Sequence, residues 1–271
     1  MTIRFRNRMS FVFFFISITW LFLGVFFPTY QFFSNGLILP EVYSKGLSEK
    51  FLFEYKPLYT FIGIFILMTY VCITIMIIHH NFEKTQAPDI VYFLLFLFAC
   101  LCDTTRILVP TFRLSGTFTL FLLKIGNIHL FARLLAPLAL MGCAALSTEE
   151  FRQTTDRNCI ILIIIAMFFA EFLPLNTAII LPNFCISYGH VKAIKGFVLT
   201  ISIVSTIALI AINKKNEYKQ IISVGFVILT IGYSQIFYCY NIAGIILGTI
   251  CLGTGTFIYL NEVHKHYLWI D

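Results

Sequence analysis

Three consecutive apolar stretches decide the fold of this chain: Ile90–Pro110 (IVYFLLFLFACLCDTTRILVP), Phe118–Ser147 (FTLFLLKIGNIHLFARLLAPLALMGCAALS) and Cys159–Pro182 (CIILIIIAMFFAEFLPLNTAIILP). Each is long enough to cross a bilayer, which takes about 20 helical residues. Each also carries ionisable side chains at the depth of the bilayer. A charge there costs about 2.5–3.5 kcal/mol, so it normally faces protein or trapped water and has a partner. A specific function is therefore expected at these polar residues.

The composition of the whole chain is that of a membrane protein. Hydrophobic residues make up 59% of its 271 residues and charged residues 12%, and the mean hydropathy is +0.89. Soluble domains are roughly 45–50% apolar and about 25% charged, so a soluble fold is excluded. The net charge is +6, but the basic residues do not cluster with aromatic residues in a soluble segment. Nucleic acid is therefore not an expected partner.

Eight apolar segments predict an all-α fold, a polytopic transmembrane helical bundle, with seven spans as the alternative count. We expect residues 1–271 to form one membrane-embedded helical domain. Pro137 in the fourth span and Pro174 in the fifth favour kinks. The polar stretch 28–57 is predicted to be an outer loop that lies partly along the membrane interface. The predicted spans are Phe11–Phe27, Leu58–Ile78, Ile90–Val109, Phe118–Leu146, Asn158–Leu181, Gly196–Ile212, Gln220–Tyr238 and Ile242–Leu260.

The distribution of Lys and Arg predicts how the bundle is oriented. Eight spans place both termini on one side, and the loops of that side carry the excess of basic residues, chiefly Arg4, Arg6 and Arg8 and the 213–219 loop. By the positive-inside rule both termini are cytoplasmic, in the inner (plasma) membrane. No small-x-small cleavage site follows the first apolar run, so we expect that run to remain as a helix.

The polar residues of the three stretches predict a pocket between spans three, four and five. Asp103 and Arg106 are three residues apart, so they share a helix face. His129 and Arg133 are four apart and also share a face. Glu171 lies near the centre of the predicted fifth span, where we expect it to face these basic side chains. The candidate ligand-binding residues are Asp103, Arg106, Asn127, His129, Arg133 and Glu171.

The charges near this pocket do not balance. Two negative charges, on Asp103 and Glu171, compare with three positive charges, on Arg106, Arg133 and Lys124. Lys124 lies about 180° from Arg133 on a straight helix. The surplus of one positive charge favours a small anionic or lipid ligand, bound for transport or for sensing. Glu171 beside His129 would also suit a proton relay. The alternative is a non-catalytic membrane scaffold subunit whose buried charges only stabilise the bundle.

Catalysis and cofactors have little support in the sequence. H-E-x-x-H and G-x-S-x-G motifs are absent. His129 has no second deep histidine with which to hold haem, and the last two spans have no lysine for retinal. The enzyme class is therefore not favoured, an enzyme acting on lipid being the last alternative, and no cofactor or metal is predicted.

Small residues and cysteines give predictions about contacts within the chain and between subunits. Gly244 and Gly248 are four apart, which favours close helix packing within the bundle or, alternatively, between subunits of a homo-oligomer. A further protein subunit is the partner a sensor would need, and membrane lipids are expected throughout. Cys185 and Cys239 both fall near predicted outer helix ends, where two unrelated thiols are the preferred interpretation and a disulfide is the alternative.

Overall fold

A computed structural model describes residues 3–35, 56–83, 85, 87–112, 119–146, 153–213, 217–238 and 241–268. Over these residues the chain forms eight helices and one antiparallel β-hairpin. The third helix continues through a 3₁₀ turn, Thr104–Ile107, into a last helical turn, Leu108–Thr111. The elements are α1 (Ile3–Asn35), α2 (Pro57–Asn81), α3 (Pro88–Asp103), α4 (Thr119–Ala145), α5 (Thr155–Phe172), β1 (Leu175–Ile180), β2 (Ile186–Tyr188), α6 (Val191–Asn213), α7 (Glu217–Phe237) and α8 (Ile242–Leu268).

Seven of the helices in this part of the chain are long and apolar enough to cross a membrane. The exception is α5, which has 18 residues and includes Asp156, Arg157 and Glu171. At about 1.5 Å per residue it spans roughly 27 Å, slightly less than a hydrocarbon core. The predicted all-α, multi-pass membrane bundle is confirmed, and α5 is the helix on which the two predicted counts differ.

The predicted fifth span, Asn158–Leu181, is wrong in its second half. Pro174 ends the helix instead of kinking it, because a proline disfavours helical backbone in the residue before it. Leu173 is accordingly extended, with φ −79° and ψ 127°. The following residues form β1, which pairs with β2, and the N–H of Gly189 closes the hairpin by donating to the carbonyl of Pro174 at 2.7 Å.

Three helices run at least five residues further at one end than the sequence predicted. α1 extends from Ile3 to Asn35 with Pro28 inside it, so residues 28–35 of the predicted outer loop are helical. Residues 36–55, the rest of that loop apart from its end, lie outside the described residues. α6 begins at Val191 rather than Gly196, and α8 continues past Leu260 to Leu268.

Glycines bring α7 and α8 into close contact. A Cβ atom on Gly232 would lie 2.3 Å from the backbone nitrogen of Leu252, and one on Gly255 would lie 2.4 Å from that of Leu229. A Cβ on Gly248 would meet Ile236 of α7, so the close approach predicted at this glycine occurs within the chain. The homo-oligomer through Gly244 and Gly248 stays a prediction.

The N-terminal end of the bundle is held by side chains that bond to loop carbonyls. The buried guanidinium of Arg6 donates to the carbonyl of Thr85 at 2.6 Å and also to that of Phe82, at the end of α2. At the same end, the hydroxyl of Tyr267 donates to Asp89 Oδ2 at 2.9 Å, which ties α8 to the start of α3. The opposite end of the bundle, where α3 and α7 finish, contains Asp103 and Arg106.

We expect Gly255→Ala to destabilise the bundle by about 1–3 kcal/mol, because overpacking forces the α7 backbone away. Gly253→Ala is the matched control, since no atom lies within 4 Å of a Cβ built there. Alanine also favours a helix interior by about 1 kcal/mol relative to glycine, so this control should be neutral or stabilising. Thermal unfolding in one detergent measures both, and equal midpoints for the two variants would contradict the packing described.

We expect Arg6→Gln to lower stability by about 1.5–3 kcal/mol, the usual contribution of hydrogen bonds made by a charged group. Arg8→Gln removes the same charge from an exposed position on the same helix and should change stability by less than about 0.5 kcal/mol. Thermal unfolding of the two variants separates the anchoring contacts from the net charge of the N-terminus. The anchor would be refuted by comparable losses in both.

Candidate functional site

The end of α3 supplies a carboxylate and a guanidinium, both fully buried. Arg106 Nη2 lies 3.4 Å from Asp103 Oδ2, which confirms that the two residues pair along the helix. The backbone forms the 3₁₀ turn here. Pro110, four residues after Arg106, has no N–H to donate to the carbonyl of Arg106. Trp20 of α1 donates to Thr104 Oγ1 at 2.8 Å and anchors the turn.

The facing helix, α4, brings His129 against this carboxylate. His129 Nδ1 lies 2.8 Å from Asp103 Oδ1, and both side chains are at most 2% exposed. On the other side, the imidazole ring stacks on Phe237 at the end of α7, with 5.3 Å between centroids and 20° between planes. Asp103 of α3 and His129 of α4 therefore meet inside the bundle, beside the end of α7 rather than beside the predicted fifth span.

The hairpin closes over the same place and adds a thiol. Cys185 Sγ lies 3.6 Å from His129 Nδ1 and 3.7 Å from Arg106 Nη1. Cys185 is a free thiol, so the disulfide alternative is not realised at this residue, and Cys239 lies outside the described residues. We define the charge cluster as Asp103, Arg106, His129, Arg133 and Cys185.

The last carbonyl of α7 is bound from two sides. The carbonyl oxygen of Phe237 accepts hydrogen bonds from Arg106 Nη1 at 2.9 Å and from Asn183 Nδ2 at 3.3 Å. A carbonyl in the last turn of a helix has no partner within that helix, and a cation there is favoured by the helix dipole. Arg106 therefore has a structural role in addition to its contact with Asp103.

Arg133 has a different environment, made of aromatic rings. It is 5% exposed, and its Nη2 donates to the hydroxyl of Tyr238 at 2.7 Å. Its guanidinium lies 4.4 Å from the ring centroid of Phe237 and 5.3 Å from that of Tyr188. No carboxylate of the described residues forms an ion pair with Arg133. Each of these ring contacts contributes about 0.5–2 kcal/mol and does not neutralise the charge.

Two predicted site residues lie elsewhere. Glu171 accepts a hydrogen bond from Asn127 Nδ2 at 3.2 Å and lies 3.8 Å from Lys124 Nζ. The Lys124 and Glu171 side chains are 68% and 56% exposed, so they do not enter the cluster. The expectation that Glu171 faces Arg133, His129 or Arg106 was wrong, because α5 ends at Phe172 and leaves Glu171 in its last turn. A ligand-binding role for Asn127 and Glu171 stays a prediction.

The buried charges of the cluster do not cancel. Asp103 carries one negative charge against the two positive charges of Arg106 and Arg133, which leaves one positive charge when His129 is neutral. The buried polar atoms around the cluster that have no hydrogen-bond partner within the described part of the chain include His129 Nε2 and the Tyr188 hydroxyl. Burial raises the pKa of the Tyr188 phenol, so this hydroxyl remains a donor. Buried polar atoms normally form a hydrogen bond with protein or with an ordered water molecule, so these atoms are available to a ligand.

The sequence alone did not single out the residues that the hairpin and the end of α7 contribute to the site, namely Asn183, Cys185, Tyr188, Phe237 and Tyr238. Pro174 was the available signal, because a helix that ends at a proline returns the following residues to the bundle. No three His, Cys, Asp or Glu side chains in the described ranges are placed to hold a metal ion.

Comparison of the chain with protein-family models, with curated proteins and with solved structures finds no match. The chemistry of the charge cluster is therefore the basis for a functional hypothesis. Within the described residues it offers a buried cation without a carboxylate partner, a buried thiol between two basic side chains, and unpaired polar atoms beside both.

We expect Asp103→Asn to cost about 3–5 kcal/mol of stability, because it leaves the buried Arg106 guanidinium without its counter-charge. Glu171→Gln removes an equal charge from an exposed pair, which is worth about 0–1 kcal/mol. Thermal unfolding of both variants in the same detergent compares the two environments. If the two substitutions were equally mild, the buried contacts of Asp103 would not have the importance assigned to them.

Proposed function

We propose that this multi-pass membrane protein binds a small anionic group at Arg133, to transport it or to sense it. The group is either a free anion or the phosphate of a lipid headgroup with a net negative charge, since both present the same oxygen atoms to a guanidinium. Arginine suits such a ligand because its planar fork of N–H donors matches carboxylate and phosphate oxygens.

One observation carries the proposal: Arg133 is buried and has no carboxylate partner in the described residues. An uncompensated charge away from water costs several kcal/mol, so such a residue is normally kept for a function. The charge of Arg106, in contrast, is matched by Asp103 and by a helix-end carbonyl. An incoming anion would supply to Arg133 what Asp103 supplies to Arg106.

A second cation lies close to the tyrosine that Arg133 contacts. Lys195, on α6, is exposed, and its Nζ lies 5.5 Å from the ring centroid of Tyr238. The hydroxyl of Tyr238 accepts the hydrogen bond from Arg133. Lys195 and Arg133 therefore both lie beside Tyr238, and an anion bound there would be favoured by both positive charges.

Unpaired hydrogen-bonding atoms beside Arg133 favour a ligand that accepts several hydrogen bonds. The Tyr188 hydroxyl is buried and unpaired among the described residues, and the ring of Tyr188 contacts the Arg133 guanidinium. A phosphate or carboxylate can accept from both groups at once, whereas an apolar ligand would leave them unsatisfied.

The orientation inferred from the basic residues predicts the side of the membrane on which the site lies. With both termini cytoplasmic in the plasma membrane, α3 runs outward, so Asp103 and Arg106 lie in the outer half of the bilayer. The hairpin over the cluster then faces the outside of the cell. We therefore propose that the anion enters from the outside or from the outer leaflet.

A scaffold subunit is the second candidate function, because Arg106 has a clear structural role at the end of α7. The two functions differ in what Arg133 does. In a scaffold its substitution changes stability alone, whereas in a binding protein it changes the affinity for an anion as well.

Arg133→Gln should weaken anion binding at least ten-fold, equivalent to about 1.4 kcal/mol, while Arg133→Lys should keep part of the affinity. The measurement is the thermal stabilisation of the purified protein by inorganic phosphate, or by nanodiscs of phosphatidylglycerol compared with phosphatidylcholine. Lys124→Gln, an exposed cation on the same helix, is the control and should bind as the wild type does.

The two probes separate the sources of the anion. Stabilisation by phosphate indicates a free anion, and stabilisation by phosphatidylglycerol alone indicates a lipid headgroup. If neither stabilises the wild type, or if Arg133→Gln responds as the wild type does, the binding function is rejected and the scaffold is favoured. Ligand flux in proteoliposomes would then indicate transport, and a protein subunit retained in mild detergent would indicate sensing.

A further inference from the structure

Four side chains of the charge cluster form a closed ring in which basic and acidic groups alternate. Arg106 contacts Asp103 through Nη2 at 3.4 Å and Cys185 through Nη1 at 3.7 Å. His129 Nδ1 also contacts both, at 2.8 Å from Asp103 Oδ1 and 3.6 Å from Cys185 Sγ. The two basic side chains therefore share the same two neighbours, a carboxylate and a thiol.

The position of Cys185 in this ring is equivalent to that of Asp103. A thiol becomes a strong nucleophile and ligand as its thiolate, which nearby Arg and protonated His side chains stabilise. Cys185 Sγ has His129 Nδ1 at 3.6 Å and Arg106 Nη1 at 3.7 Å. When Cys185 loses its proton and His129 gains one at Nε2, because Nδ1–H already donates to Asp103 Oδ1, the ring holds two cations and two anions and is neutral by itself, and the charge of Arg133 remains outside it.

We infer that Cys185 is a reactive thiol and a modification site for a sulfur electrophile, a disulfide or a thiosulfonate. The thiolate attacks one sulfur of the electrophile, a new S–S bond forms, and the old bond to that sulfur breaks. The leaving thiolate or sulfinate takes the electron pair of the broken bond, and the thiol proton stays on His129 or passes to solvent. This thiol chemistry does not depend on anion binding at Arg133.

Two further features support a site that takes a reagent. His129 Nε2, on the imidazole ring beside the thiol, is buried and has no hydrogen-bond partner in the described ranges, so a polar group of the reagent can bond to it. The thiol lies in a two-stranded hairpin, a structure that is only marginally stable by itself in water. Cys185 is 1% exposed, so a reagent reaches it only when this hairpin moves.

The test compares two cysteines of equal burial in otherwise cysteine-free chains. One chain keeps Cys185 and the other keeps Cys143, which is also 1% exposed and whose sulfur donates to the backbone carbonyl of Asp89. Both are solubilised in detergent, so that both ends of the bundle are accessible. Each is treated with methyl methanethiosulfonate, a small neutral reagent, and the rate of mixed-disulfide formation is followed by intact mass.

We expect Cys185 to react at least ten-fold faster than Cys143, because the two basic side chains stabilise its thiolate. In the chain that keeps Cys185, His129→Gln should slow the reaction at least ten-fold, and Arg106→Lys should slow it less because the positive charge remains. Equal rates at the two cysteines, or a rate at Cys185 that His129→Gln leaves unchanged, would overturn the inference. The first comparison keeps the ring intact, so it holds even where a ring variant fails to fold.

Discussion

The cost of burying charge in a protein dissolved in lipid is the constraint on which this structure depends. Each buried ionised group needs a partner, and at this end of the bundle the partners come from different elements. Asp103 joins α3 to α4 through His129, and Arg106 joins α3 to α7 through the carbonyl of Phe237. Apolar helix surfaces slide past one another at little cost in lipid, so these polar contacts set the register of the helices.

Two prolines shape the site through their effects on the backbone. Pro110 has no N–H for the turn that carries Arg106, and from this 3₁₀ turn the guanidinium reaches both the hairpin and α7. Pro174 ends α5 early enough for the chain to form the hairpin, which covers the cluster and brings Cys185 into it. The backbone rules for proline therefore decide which side chains meet.

The same geometry gives two groups, Arg133 and Cys185, a chemical reactivity that the fold itself does not require. Arg133 is packed among aromatic rings that stabilise its guanidinium without neutralising it, which suits the capture of an anion. Cys185 occupies an acidic position between two basic side chains, which suits a nucleophile. The close packing of α7 on α8 at their glycines holds Phe237, and with it both groups, against α4.

The sequence by itself determined the membrane class, the positions of most helices, and the pairs Asp103–Arg106 and His129–Arg133 that share a helix face. These follow from local rules, namely the apolar length of a span and the 3.6-residue period. The tertiary structure alone decided that Glu171 lies outside the cluster and that Cys185, Phe237 and Tyr238 lie in or beside it. Arg106 and Phe237 are 131 residues apart in the chain, and no periodicity relates them. Their contact depends on where each helix ends and how the helices pack, which is a property of the assembled bundle.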